Sequence, residues 1–257
     1  MDILTRLVAL ARRGVLPPAL RDPYRRTMRR LLAGRVFPVE IEGLKFACRP
    51  FENRDDFEMV AKGRLPEPEE REWLAGRLFP GAIYVDVGAN IGTHLVWLAR
   101  RAPAGVRLVA VEPSPATRLR LAETLALNQV TDVTVIDRAL GATHGQAVLH
   151  PPAGNAGAAS LLGEGSGYTV AVMPLADLPK LAGVPRIDVL KIDVEGFEDR
   201  VVVPFLRDAP REIWPQAVMI EIARAEDWAD DAVAALRDAG YRIDRAVPEN
   251  LMFVRER

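Results

Sequence analysis

The chain has 257 residues, 49% of them hydrophobic and 27% charged, enough for one large core with or without a small appendage. A formal net charge of −1 gives no global electrostatic reason to expect a nucleic-acid partner and leaves only a local basic groove as a route to one. The single cysteine, Cys48, excludes an intrachain disulfide and a cysteine-built zinc site, and reads as a small buried hydrophobe.

The amino-terminal apolar stretch is short and broken by Arg6, Arg12 and Arg13 behind Asp2, so no signal peptide is expected. No apolar run approaches the ~20 residues of a membrane-spanning helix, and the expectation is a soluble, cytoplasmic protein. The first 36 residues hold nine arginines against Asp2 and Asp22, a local charge of +7 that leaves −8 for the remainder. Such an arm serves either contact with an anionic lipid surface, an acidic substrate or a partner, or simply a solvated helical face. Residues 1–75 read as a helical and β extension that, with "NRDDFEMVAKGRLPEPEERE" included, covers a cleft and shapes an acceptor site; residues 76–257 read as the main domain.

From about residue 82, short β-rich runs alternate with helical stretches, the pattern of a mostly parallel sheet with helices on both faces. The strands fall at 82–88, 107–113, 133–140, 187–194 and 217–223. The helices fall at 92–102, 114–128, 197–209 and 230–240, with Gly240 as a helix stop. "YRIDRAV" and "NLMFVRE", separated by "PE", predict a hairpin that closes the sheet edge with an antiparallel strand. The Gly-, Ala- and Ser-rich stretch 141–169 predicts a loop or small β excursion in place of a crossover helix, placed to act as a lid.

In such sheets ligands sit at the carboxyl ends of the strands. The first of these ends carries "YVDVGANIG", residues 84–92, where Gly88 and Gly92 bracket Ala89 and Asn90. The phasing fails the G-x-G-x-x-G of dinucleotide sites and there is no phosphate-cradling Gly-Lys-Ser/Thr. Free N–H groups at a helix start can still hold a carboxylate, which points to an anionic or zwitterionic ligand without phosphate. Glu112, followed by Pro113, ends the next strand 24 residues after Gly88, where an acid can accept from both hydroxyls of a ribose. Asp86, Gly88, Gly92 and Glu112 together suit S-adenosylmethionine. Asp137, Arg138 and Ala139 end the third strand, either along the adenine or, for the arginine, in an ion pair at the rim.

"DVGANIG" at 86–92, "VAVEPSPATRLRLAETLALN" at 109–128 and above all "IDVLKIDVEGFE" at 187–198 closely resemble the FkbM family of methyltransferases, in the same order from about Ala82 to Glu221. The resemblance implies a class I methyltransferase Rossmann-like fold with a seven-stranded sheet. It also implies an S-adenosylmethionine-dependent O-methyltransferase for hydroxyls of sugars, polyketides, lipids or other natural products. Two departures stand out. Ala142 or Thr143 occupies a position usually held by Asp, and Pro174 and Ala176 replace parts of a Thr-Leu-Asp; both touch adenine contacts and substrate shape rather than the reaction class.

Methyl transfer to a hydroxyl needs alignment and removal of a proton. "KIDVEGFE" supplies carboxylates at the mouth of the fourth strand, where period-two alternation places Lys191, Asp193 and Glu195 on one side. Asp193 is the leading candidate at the reacting centre and a cofactor neighbour, with Glu195 as general base or orienting group. The competing expectation is that both carboxylates cap the following helix and pair with Lys191. Glu221 at the next strand end faces Asp193 across the cleft on this reading. A divalent cation such as Mg²⁺ held there is allowed but not favoured, because no compact ligand motif accompanies the two acids. His94 assists proton removal or merely packs. Three other functions compete: a nicotinamide-dependent oxidoreductase, which would want the missing glycine; an RNA methyltransferase, favoured only by the arginine-rich arm; and a non-catalytic cofactor-binding partner module.

Overall fold

The computed structural model describes residues 3–11, 15–152 and 154–255; Asp2, Arg12 and Arg13 of the arginine-rich arm lie outside them. The extension supplies helices α1 (Ile3–Leu10) and α2 (Pro18–Leu32), the hairpin β1 (Phe37–Ile41) and β2 (Leu44–Cys48), and helices α3 (Arg54–Lys62) and α4 (Pro68–Ala75). Asn53 starts α3 by accepting from the Asp55 N–H, and Gly63 ends it in the left-handed region, the start and stop chemistry expected of a short helix.

The main sheet follows as β3 (Ile83–Val87), α5 (Thr93–Ala99), β4 (Arg107–Val111), α6 (Pro115–Leu127) and β5 (Val133–Ile136). The third strand then departs from its expected single run, because the chain turns out of the main sheet after Ile136. Ala139–Leu140 (β6) instead pairs with β8 (Tyr168–Met173), which pairs with β7 (Gly145–Leu149). This small sheet is the β excursion where a crossover helix was missing. After the short helix α7 (Leu178–Ala182) come β9 (Val189–Ile192), α8 (Asp199–Asp208), β10 (Ala217–Glu221), α9 (Ala232–Asp238), β11 (Tyr241–Ala246) and β12 (Asn250–Arg255).

The seven strands run in the order β11-β12-β10-β9-β3-β4-β5. β10, β9, β3, β4 and β5 are parallel, and β12 is antiparallel to both β10 and β11, as the hairpin reading requires. The chain winds outward from β3 to β5 and returns beside β3 as β9, which makes the β3/β9 boundary the switch point where ligands bind. Every β3 residue is buried because helices cover both faces. Tyr84 faces a core with Leu95, Trp97 and Leu121, to which Met28, Leu44, Met59 and Trp73 of the extension also belong. Ile83, Val85 and Val87 face a second core with Val201, Phe205 and Leu236. Ser114 caps α6 by accepting from the Thr117 N–H at 3.2 Å, with Pro115 in the first turn. Among the described residues no helix is long and apolar enough to cross a membrane.

Candidate active site

Gly88 and Asp193 end the adjacent parallel strands β3 and β9, and their backbones touch. A β-carbon on Gly88 would lie 1.8 Å from the Asp193 carbonyl oxygen, and Gly88 has φ of 77°, so no side chain fits there. Asn90, with φ of 50°, turns the chain so that its N–H meets Glu112 Oε2 at 3.0 Å. The Ser114 N–H meets Glu112 Oε1 at 2.9 Å. Two main-chain donors therefore fix one buried carboxylate. Burial nevertheless outweighs them and raises the Glu112 carboxyl to about 7.

Asp86 and Lys191 are register partners across β3 and β9, so their side chains share one face. Lys191 Nζ lies 3.3 Å from Asp86 Oδ1 and 3.2 Å from Asp193 Oδ2, and donates to the Gly88 carbonyl at 3.4 Å. Burial works against this ammonium, but Asp193, Asp86 and Glu67 outweigh it and hold its pKa above the ordinary value. Asp86 therefore serves the site from beneath, 1% exposed, as the anchor of Lys191 rather than as a wall.

The cleft has two halves that share Gly88, Gly157, Asp193 and Glu195. The apolar half is walled by Val111, Pro113, Ala139, Leu140, Leu161 and Phe197, with Glu112 and Arg138 at its polar edge. Arg138 has no ion pair among the described residues. Asp137 is exposed and does not line the cavity, since the backbone turns after β5.

The second half, which includes Ala89 and Asn90, is acidic. Burial, then Asp56, raises Asp55 to about 6; burial, then Asp193 and Asp55, raises Glu67 to about 8. Burial, then Asp193, raises Glu195 to about 7, and burial, then Asp193 and Glu195, raises Glu221 to about 10. His94 is buried with Nε2 3.4 Å from Glu67 Oε2. Burial pushes its pKa well below the ordinary value, so the ring is neutral and does not form an ion pair there.

The capping expectation is overturned. Glu198, not Asp193 or Glu195, accepts from the Val194 and Gly196 N–H groups at 2.8 and 3.2 Å, and its other oxygen accepts from Trp228 Nε1 at 2.9 Å. The strand alternation also stops at Ile192, because Glu195 has φ of 56°; Lys191 pairs with Asp193 and Asp86 but not with Glu195. The Glu195 carboxylate is left to line both halves of the cleft. Asp193 and Glu221 do meet: with Glu198 they can bring one oxygen each within 4.8 Å of one another.

Several cleft residues lie in segments whose sequence carried no motif. Asn53 Nδ2 donates to Asn90 Oδ1 at 2.7 Å, and Thr93 Oγ1 donates to Asp55 Oδ2 at 3.2 Å. Glu67 enters from a left-handed position just before Pro68, with φ of 52°. The lid segment closes over these. The Ala156 N–H donates to the Glu52 carbonyl at 2.7 Å and the Arg54 N–H to Asn155 Oδ1 at 3.1 Å. The sequence marks residues 1–75 as a cover, 53–72 included, but gives the individual acids Asp55 and Glu67 no local signal beyond that.

The switch-point cleft fits S-adenosylmethionine: a backbone-only turn, a buried acid at the next strand end, an apolar slot and a half lined by acidic residues. These features define a methyltransferase of the class I Rossmann-like fold. Residues 86–243 match the family model described as the methyltransferase FkbM domain, more than half of the chain, and the protein belongs to this family, with S-adenosylmethionine as its cofactor. No curated protein sequence matches it. Among solved structures it is similar to precorrin-6y C5,15-methyltransferase from Geobacter metallireducens at 15% identity and a TM-score of 0.48, covering 75% of this chain and 90% of that one. Fibrillarin from Aeropyrum pernix with natively bound S-adenosyl-L-methionine has 13% identity and a TM-score of 0.42, over 86% and 82% of the two chains. An rRNA methylase from Streptococcus thermophilus has 11% identity and a TM-score of 0.44, over 74% and 95%. Likenesses at this level carry no statement about substrate.

Proposed function

We propose that the protein is an O-methyltransferase acting on a hydroxyl of a small molecule, such as a sugar, a polyketide or another natural product, in the cytoplasm. The observation that carries this reading is Glu195, freed from capping, facing the cleft beside Asp193 with its carboxyl raised to about 7. A carboxylate of that basicity can take a hydroxyl proton near neutral pH. The bound cofactor supplies a methyl group made electrophilic by its sulfonium. Glu195 would take the proton of the acceptor hydroxyl as its oxygen accepts that methyl group, which would leave the cofactor as its neutral thioether.

On this reading Asp193, steadied by Lys191, contacts the reacting centre. Glu112 accepts from the ribose hydroxyls, the Gly88–Gly92 turn faces the methionine part, and Arg138 and Ala139 lie along the adenine. Residues 1–75 form the cover that shapes the acceptor site. A cation held by Asp193 and Glu221 is not required, because the proton already has an acceptor. The test is transfer of a ¹³C-methyl group to a panel of hydroxylated metabolites, with the product bond assigned by NMR. Methyl groups found only on nitrogen, carbon or RNA would refute the assignment.

A further inference from the structure

A second cavity, of about 580 Å³, adjoins the acidic half of the cleft, and Arg54, Glu58, Asn155 and Glu249 line both. Four cations and two acids surround it, but they are not equivalent. Lys62 Nζ lies 2.6 Å from Glu58 Oε1, and Arg54 Nη2 lies 3.2 Å from Glu249 Oε2, so both acids of this wall already have partners. The two arginines from α2 have no acidic partner among the described residues. Arg25 donates from Nε to the Ala11 carbonyl at 3.1 Å and stands over the Phe57 ring, 5.6 Å from its centre. Among the described residues no hydrogen bond or ion pair holds Arg29. Phe51 and Phe57 meet edge to face at 6.2 Å and also line this cavity, giving it an apolar surface beside the guanidinium groups.

This division of charge has a chemical meaning. The acidic half would repel an anion close to Asp193, whereas two unneutralised guanidinium groups, weakly hydrated and rich in parallel donors, attract one. A molecule with an anionic end and a hydroxyl end is thereby oriented, with the hydroxyl toward Glu195. We infer that the acceptor carries a phosphate or carboxylate group, which Arg25 and Arg29 bind in the cavity beside the cleft while its hydroxyl enters the acidic half. This substrate class rests on the O-methyltransferase reading above. It gives the basic α2 a binding task other than membrane or RNA contact.

The inference is tested on the full chain with inorganic phosphate and pyrophosphate, followed by ³¹P NMR titration, so that no methyl transfer is needed. Saturable binding below roughly 10 mM is expected. It should weaken about 10-fold or more in Arg29→Gln and in the Arg25→Gln/Arg29→Gln pair, and stay unchanged in Arg26→Gln, an exposed neighbour on α2 that does not line the cavity. Calorimetric affinity for S-adenosylhomocysteine should be the same in all four proteins, which shows that the fold and cofactor site are intact. Absence of saturable binding, or the same weakening in Arg26→Gln, overturns the inference. Sedimentation with phosphatidylcholine vesicles containing phosphatidylglycerol that depends on Arg25 and Arg29 but is not competed by pyrophosphate also overturns it, in favour of a lipid surface. Methylation of neutral hydroxyl compounds without anion binding defeats the inference alone. Anion binding at these arginines without any hydroxyl methylated defeats the O-methyltransferase reading alone.

Discussion

The carbonyl oxygen of Asp193 lies 1.8 Å from where a β-carbon on Gly88 would stand, so the turn after β3 and the strand end that carries the Asp193 carboxylate are joined through backbone. A side chain at this φ costs about 1–2 kcal/mol before any clash, and this clash is with main chain that no rotamer change relieves. Gly92→Ala meets only Leu121 Cδ1, at 2.5 Å, the end of a side chain that can rotate. Gly88→Ala should therefore lower the urea midpoint further than Gly92→Ala and abolish S-adenosylhomocysteine binding. Equal losses from the two substitutions would mean that the strand tips separate freely.

Glu112→Gln should weaken the cofactor product by about 1–3 kcal/mol, since a charged acceptor for ribose hydroxyls is lost from a buried site. The same carboxyl, raised to about 7, couples binding to pH. Hydroxyl donors favour the ionised form, so wild-type affinity should fall as pH drops below about 7, and calorimetry near pH 6.5 in buffers of different ionisation enthalpy should detect proton release on binding. A pH-independent affinity would remove Glu112 from this role.

The sheet, its helices and the edge hairpin were legible because period and turn chemistry are local. Ile83 to Val87 is a run of β-formers with a glycine turn after it, and Asp231 caps α9 by accepting from the Ala234 N–H at 2.9 Å just where the helical pattern begins. The third strand was overextended because 133–140 reads as one β-rich run with only Asp137 and Arg138 to interrupt it, and nothing local reveals that Leu140 pairs with Met173. The lining of the cleft was legible where a strand end carries it, as at Gly88, Glu112 and Asp193. Glu198 was missed as the true holder of the α8 turn, since a carboxylate reaching back four residues looks like any other helix-start acid. Asp55 and Glu67 come to the cleft only through packing of the extension, which no spacing rule encodes.

Asp193→Asn should leave the thermal midpoint within a few degrees, because Asp193 caps nothing and Lys191 keeps Asp86 as a partner, yet reduce turnover by roughly 10²-fold. The Asp193 charge also helps to raise Glu195, so the acid limb of the remaining activity should move to lower pH. Near-wild-type turnover would transfer the central role to Glu195.

Chelator should leave activity unchanged. Although Asp193, Glu198 and Glu221 approach one another, the Glu198 oxygens already accept from two N–H groups and an indole, leaving two carboxylates where a hard cation wants more oxygen ligands. Loss of activity in EDTA with recovery in Mg²⁺ would reverse this.

Glu67→Gln separates stability from function. Burial and neighbouring acids raise Glu67 from its ordinary 4.5 to about 8, so the folded protein binds this proton more tightly than the unfolded chain. Its contribution to stability is thus present below about 4.5 and lost as pH rises through about 8. Wild type and Glu67→Gln should melt together near pH 5, and the variant should melt higher near pH 9. Coincident melting curves at both pH values would place the Glu67 carboxyl in open water.

The edges of the matched family segment and the edges of the cleft do not coincide. Asp55 and Glu67 lie upstream of residue 86, and Glu249 lies downstream of residue 243, yet all three are wall residues. Cut back to residues 86–243, the chain would lose these walls together with Ile83–Val85 of β3 and the whole of β12. An enzyme arranged in this way can change what it methylates by remodelling its rim, with the floor that grips the donor left untouched.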